Sequence, residues 1–227
     1  MLHRIILTAL LAGALSGVWF FAAHITLTTP LILQAEVYEF GTSDRPSAEA
    51  HGNGEDHKKE QALGGGLERS AWSLVADLIT SIGFSFLLVG AVSFSGRDVD
   101  WKQGLIWGLC GYASLSVAPA FGLPPELPGM QSLDLQARQI WWVGAALATA
   151  AGLALIFLAP RHLYKVVGAI LIVLPHLIGA PEHGQYSGDI PAALASKFAV
   201  TTLVVSGLFW LLLGGLTGYF YRRFERD

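Results

Sequence analysis

Charge is scarce in this chain. Only 14% of its 227 residues are Asp, Glu, Lys or Arg, where soluble domains carry about 25%. Cysteine is scarcer still. Cys110 is the one thiol, so an intrachain disulfide and a multi-cysteine metal site are both excluded. There is no basic excess either. The formal net charge is -3, which gives no electrostatic support to nucleic-acid binding. No Gly-x-x-x-x-Gly-Lys-Ser/Thr stretch occurs, so the chain has no P-loop of its own for ATP hydrolysis. What is abundant is apolar: 53% of residues are hydrophobic and the mean hydropathy is +0.51. These residues fall in long blocks, the pattern of bilayer-spanning helices.

Six uncharged or nearly uncharged runs are present, roughly 5–28, 71–95, 103–122, 139–159, 163–180 and 198–220. All but the fifth reach the ~20 residues a helix needs to cross ~30 Å of hydrocarbon. Pro175 interrupts the fifth, which predicts either a kinked span or a half-helix followed by irregular backbone. No charge occurs between Arg4 and Glu36. That core exceeds the about 7–15 residues of a secretory signal, which favours a retained first helix. The predicted fold is an all-α, polytopic membrane domain over 1–227, with six spans and five as the alternative. A long polar extracytoplasmic loop, 37–70, is expected between spans one and two, mostly flexible. Placing the N-terminus inside puts Arg4, Arg97, Lys102, Arg161, Lys165, Arg222, Arg223 and Arg226 on the cytoplasmic side. With six spans the C-terminus is cytoplasmic too. Gly13/Gly17, Gly104/Gly108 and Gly214/Gly218 predict close helix packing. Such faces serve internal packing, a partner subunit or a second copy in a homo-oligomer equally well.

Asp77 is the most informative residue, a carboxylate inside an otherwise uncharged run of membrane length. A charge there is costly and marks a functional site by default. Ser73, Thr80, Ser81 and Ser85 are its expected neighbours at helical spacing. Its roles are cation ligand or proton acceptor; the bland alternative is a carboxyl hydrogen-bonded for packing. His176, Glu182 and His183 offer two imidazoles and a carboxylate around the end of span five. Those donors suit cobalt, nickel or zinc, and they also suit an ordinary interfacial helix end. Glu36 is expected at the same outer mouth, with His24, His51, His57 and Glu126 as auxiliary donors. For His24 an interfacial helix-end role competes, for Glu36, His51 and His57 a solvated loop. Glu126 lies in a stiff cap built on Pro124, Pro125 and Pro128. Pro30-Leu-Ile-Leu-Gln-Ala-Glu36 and Pro175-His-Leu-Ile-Gly-Ala-Pro-Glu182 look alike, which is coincidence unless their backbones match.

The opening Met1-Leu-His-Arg4, the segment Thr29-Pro-Leu-Ile-Leu-Gln-Ala-Glu-Val-Tyr-Glu39, Gly122-Leu-Pro-Pro-Glu-Leu-Pro-Gly129 and Pro175-His-Leu-Ile-Gly-Ala-Pro-Glu182 together resemble the CbtA family over essentially the whole chain. The resemblance implies a cobalt transporter subunit from cobalamin-linked loci. It also implies a small single-span partner, CbtB, which bears histidines. The family is usually described with about five spans, against six counted here. It carries no ligand residues over, so the metal assignments rest on the residues themselves.

The expectation is a non-enzymatic, multi-pass protein of the bacterial inner membrane. It holds no tightly bound cofactor, and it moves cobalt, or nickel or zinc, with its CbtB-like partner. The competing reading is a non-transporting scaffold whose glycine faces dock another protein. A quinone-binding membrane enzyme is a third class, disfavoured by the lack of a second intramembrane ionisable cluster.

Overall fold

A computed structural model describes the backbone of residues 1–41, 55–130, 134–181 and 190–225, and the side chains of those residues outside 39–65. Glu182, His183 and His51 lie outside the described residues, as does the side chain of His57. Among the described residues every element is helical. α1 (Leu2–Ala23) runs through a π turn (His24–Thr28) into α2 (Thr29–Gly41). α3 is Glu55–Ser95 and α4 is Trp101–Tyr112. A second π turn (Ala113–Val117) leads into α5 (Ala118–Gly122). α6 (Leu135–Leu158), α7 (His162–Ile178) and α8 (Ala192–Arg223) follow.

Each apolar run is therefore a helix. Leu2–Tyr38, Gly66–Ser95, Trp101–Gly122, Leu135–Leu158 and Ala192–Arg223 are long and apolar enough to cross a membrane. α7, at 17 residues, spans about 25 Å, just short of a hydrocarbon core. Pro175 does not stop it. The helix runs three residues further and ends at Gly179, whose φ of 89° suits glycine. The polar segment 37–70 is more helical than its composition predicts, because α2 enters it from one side and α3 begins at Glu55 on the other.

Both π turns end two residues before a proline, Pro30 and Pro119. Proline has no N–H to give and its ring crowds the carbonyl four residues back. Widening the preceding turn by one residue relieves that crowding. Pro175 sits in a helix with no π turn, so the look-alike segments at Pro30 and Pro175 do not share a backbone.

Asp100 starts α4. Its side chain accepts from Gln103 N at 2.9 Å, while Gln103 Oε1 accepts from Asp100 N at 3.3 Å. This reciprocal cap satisfies donors the first turn would otherwise leave bare.

The helices form two groups. α1, α3, α4 and α8 make a bundle, with α1 on α3 and α4 on α8 as its main seams. α6 and α7 make a hairpin that leans on the second π turn and α5. Glycine sets the seams. A Cβ on Gly108 would strike the Trp210 carbonyl, and one on Gly104 the Gly214 carbonyl. At Gly13 it would lie 2.6 Å from Ile82 Cα. Gly152 and Gly168 face each other in the hairpin, each Cβ position meeting the other's carbonyl. Small residues at spacing four thus bring backbones into contact, as lipid-embedded packing requires.

Candidate metal-handling site

Asp77 faces the bundle and is 8% exposed. The residue opposite is His24, the first of the π turn. Its Nδ1 lies 3.0 and 3.1 Å from the two Asp77 carboxylate oxygens. An ionised carboxylate only accepts, so beside an ionised Asp77 the Nδ1 atom is the donor. That leaves the lone pair of Nε2 free when the ring is neutral. The Phe20 ring packs on the imidazole at 4.0 Å between centroids and itself rests on Phe209 of α8 at 4.6 Å. The His24 side chain keeps 31% of its surface open, against 12% for Asp77. The carboxylate is held inside and the imidazole edge stays reachable. A carboxylate fixing a histidine through one nitrogen, with the other free, is the usual support for a metal-ligating imidazole.

The remaining candidates separate. Glu36 lies on α2 and is clamped by Arg69 of α3, at 2.7 and 3.3 Å. Glu126 is held by Arg138 at 2.7 Å. His176 lies in the hairpin between Phe121 and Trp141, its ring 5.9 Å from each. It lines an open, mostly apolar cavity of about 800 Å³ beside the second π turn. The Pro175 carbonyl accepts from Trp141 Nε1 at 3.3 Å and from Gly179 N at 3.1 Å. Among the described residues no group of three or more His, Cys, Asp or Glu side chains gathers as a metal site. Glu182, His183, His51 and the His57 side chain are not among them.

Of the expected neighbours of Asp77, Ser81 and Ser85 are fully buried, whereas Ser73 and Thr80 are exposed. Ser73 returns its proton to the Arg69 carbonyl at 2.9 Å. What sequence reasoning missed is pairing. His24 and Asp77 are 53 residues apart, and no local spacing announces their contact. Likewise the arginines that take up Glu36 and Glu126 come from other helices. Pro30 is the one local signal for the π turn that presents His24.

A bundle of glycine-packed apolar helices around a half-buried ionisable pair defines a multi-pass helical membrane protein. This chain belongs to the CbtA family, described as a probable cobalt transporter subunit; the family model matches residues 2–222. No curated protein and no solved structure matches the chain.

Proposed function

We propose that this chain is the multi-pass membrane subunit of a divalent metal uptake system, with cobalt as cargo, in the bacterial inner membrane. The observation that carries the reading is the His24–Asp77 pair, together with membership of a cobalt transporter family. His24 Nε2 is the entering ligand. Asp77 holds the ring, keeps the proton on Nδ1 and supplies a negative charge against the arriving cation. Imidazole and carboxylate suit cobalt, nickel and zinc alike, so the preference for cobalt comes from the family.

Two side chains do not complete a coordination shell. Water and a second subunit supply the rest. The family's own description as a subunit supports a partner, and the resemblance points to a small, histidine-bearing CbtB-like span. His176, with Glu182 and His183 beyond the described residues, remains a candidate capture point at the same side. His51 and His57 stay auxiliary there. The arginine clamps on Glu36 and Glu126 make those two carboxylates fasteners first. The chain performs no chemistry on its cargo. With both termini cytoplasmic, inward movement of a divalent ion down an inside-negative potential gains about 4.6 kcal/mol per 100 mV, twice the single-charge value.

Radioactive cobalt uptake into vesicles carrying this chain, with and without its partner, tests the reading. Saturable uptake that needs the partner and collapses in His24→Ala is the expected result. Uptake indifferent to this chain favours a scaffold and ends the proposal. A reporter active only in the cytoplasm, fused after Asp227, checks the topology; a well-expressed but silent fusion would reverse it.

A further inference from the structure

Serine and threonine hydroxyls in membrane helices usually turn back to a carbonyl of their own helix. Several here do so. Thr26 donates to the Ala22 carbonyl at 2.7 Å, Ser70 to Gly66 at 2.8 Å, and Ser114 to Cys110 at 2.8 Å. Ser16, Ser81 and Ser85 behave differently. Each is 0% exposed, yet its hydroxyl has no hydrogen-bond partner. Thr8 and Thr217 share both properties.

These five fall into one seam. Asp77, Ser81 and Ser85 are spaced by four on α3, one above another at about 6 Å per step. Thr8, Ala12 and Ser16 repeat that spacing on the facing side of α1, and α8 closes the third wall with Phe209, Leu213, Thr217 and Tyr221. Gly17 of α1 abuts the Ser81 level, its Cβ position lying 3.2 Å from Ser81 Cβ. At the far end Arg4 Nε donates to the Tyr221 carbonyl at 2.6 Å, and its guanidinium sits 3.6 Å over the Tyr221 ring. Thr8 and Thr217 stand one turn from that contact. Ala12, Leu88, Phe209 and Leu213 pack as one apolar cluster that interleaves with these hydroxyls along the seam, with Phe209 reaching Phe20 at 4.6 Å.

A buried hydroxyl without a partner costs about 1–3 kcal/mol. Three beneath the ionisable pair are therefore a standing cost unless something takes up their oxygens. A divalent cation with its remaining waters does so. We propose that the α1–α3–α8 seam is the route by which the cation leaves His24 and Asp77 toward the Arg4 end. Ser16, Ser81 and Ser85 give it oxygen contacts beside the apolar cluster, and Thr8 and Thr217 receive it nearer the Arg4 end. This rests on the cargo assigned above and adds the path.

The triple variant Ser16→Ala/Ser81→Ala/Ser85→Ala tests it in vesicles containing the partner. Uptake should fall about tenfold or more, the scale at which groups supporting a metal act. Cobalt binding by calorimetry should stay near wild type, and thermal stability should hold or rise, since the lost hydroxyls had no partners. Normal uptake by this variant sinks the route and leaves the proposed function standing. Absent uptake by the unmodified protein sinks that function instead, and labelling then decides the seam alone. In a Cys110→Ala background, Ser81→Cys and Ser85→Cys should react with a small cationic methanethiosulfonate. Cobalt should slow that reaction, and Ile79→Cys, on the outer face, should stay inert. If neither seam cysteine reacts in the assembled complex, the route is wrong.

Discussion

The bundle and the hairpin are joined by the same device and filled with different chemistry. Both have a glycine seam: Gly104, Gly108 and Gly214 in the bundle, Gly152 against Gly168 in the hairpin. Among the described residues the hairpin buries one hydroxyl, Thr149 of α6, and the bundle buries a carboxylate and a row of hydroxyls. Asp77, Ser16, Ser81, Ser85, Thr8 and Thr217 are all buried there. In the hairpin α7 buries only Gly168 and Pro175, and His176 rests among rings. Glycine packing alone therefore says nothing about function. Tight seams assemble lipid-embedded helices whatever lies within, and capacity to handle an ion depends on what the seam encloses.

The largest effect should come from the seam of the bundle. Gly108→Val drives a side chain into the Trp210 carbonyl and should cost about 3 kcal/mol or more, the upper range for overpacking. Gly144→Val, on a face with nothing within 4 Å, should be tolerated. Thermal unfolding in detergent compares the two; equal stability would dissolve the argument from backbone contact. Next comes the pair. On the proposed function His24→Ala removes a ligand and Asp77→Asn loosens one, so cobalt affinity should drop about 10–100-fold in either, with expression near normal. Calorimetry reads this, and unchanged affinity in both would move the site out of the bundle. His176→Ala removes one donor of the candidate capture point in the hairpin and should lower uptake less than loss of the pair does. A loss as large as that of His24→Ala would make the hairpin the main binding point. Smallest is Glu36→Gln. Its arginine partner is 47% exposed, so the pair is worth about 0.2–1 kcal/mol, less at high salt. A salt titration of the melting temperature checks this, and a salt-independent loss would contradict it.

Much of the fold was legible because a bilayer leaves few choices. Every run of apolar residues became a helix, and the paired glycines marked the seams. Asp77 stood out because charge in such a run is expensive. Ser81 and Ser85 followed from counting by four. Ser73 keeps that count and Thr80 does not, and both are exposed: Ser73 lies a turn beyond Asp77 on the side away from the serines, and Thr80 points around to the open face. His24 was visible only as a helix-end histidine. Its value depends on α1 and α3 lying antiparallel at one register, which hydropathy does not encode. Helix in the 37–70 segment was also hidden, because its composition is polar and glycine-rich and the apolar signal is silent there.

Helix length has a consequence for where the pair sits. The Leu2–Tyr38 span is 37 residues and Gly66–Ser95 is 30, about 55 and 45 Å of helix against about 30 Å of hydrocarbon. With Arg4 and Ser95 near one face, the first helix reaches the opposite hydrocarbon edge at about His24. The third helix, counted up from Ser95, reaches it at about Asp77. The two antiparallel rods continue beyond as a short stalk, stapled by Glu36 and Arg69. On the proposed function, an ion arriving along that stalk would still carry its water when it meets the imidazole, and would exchange water for protein ligands at the edge of the hydrocarbon.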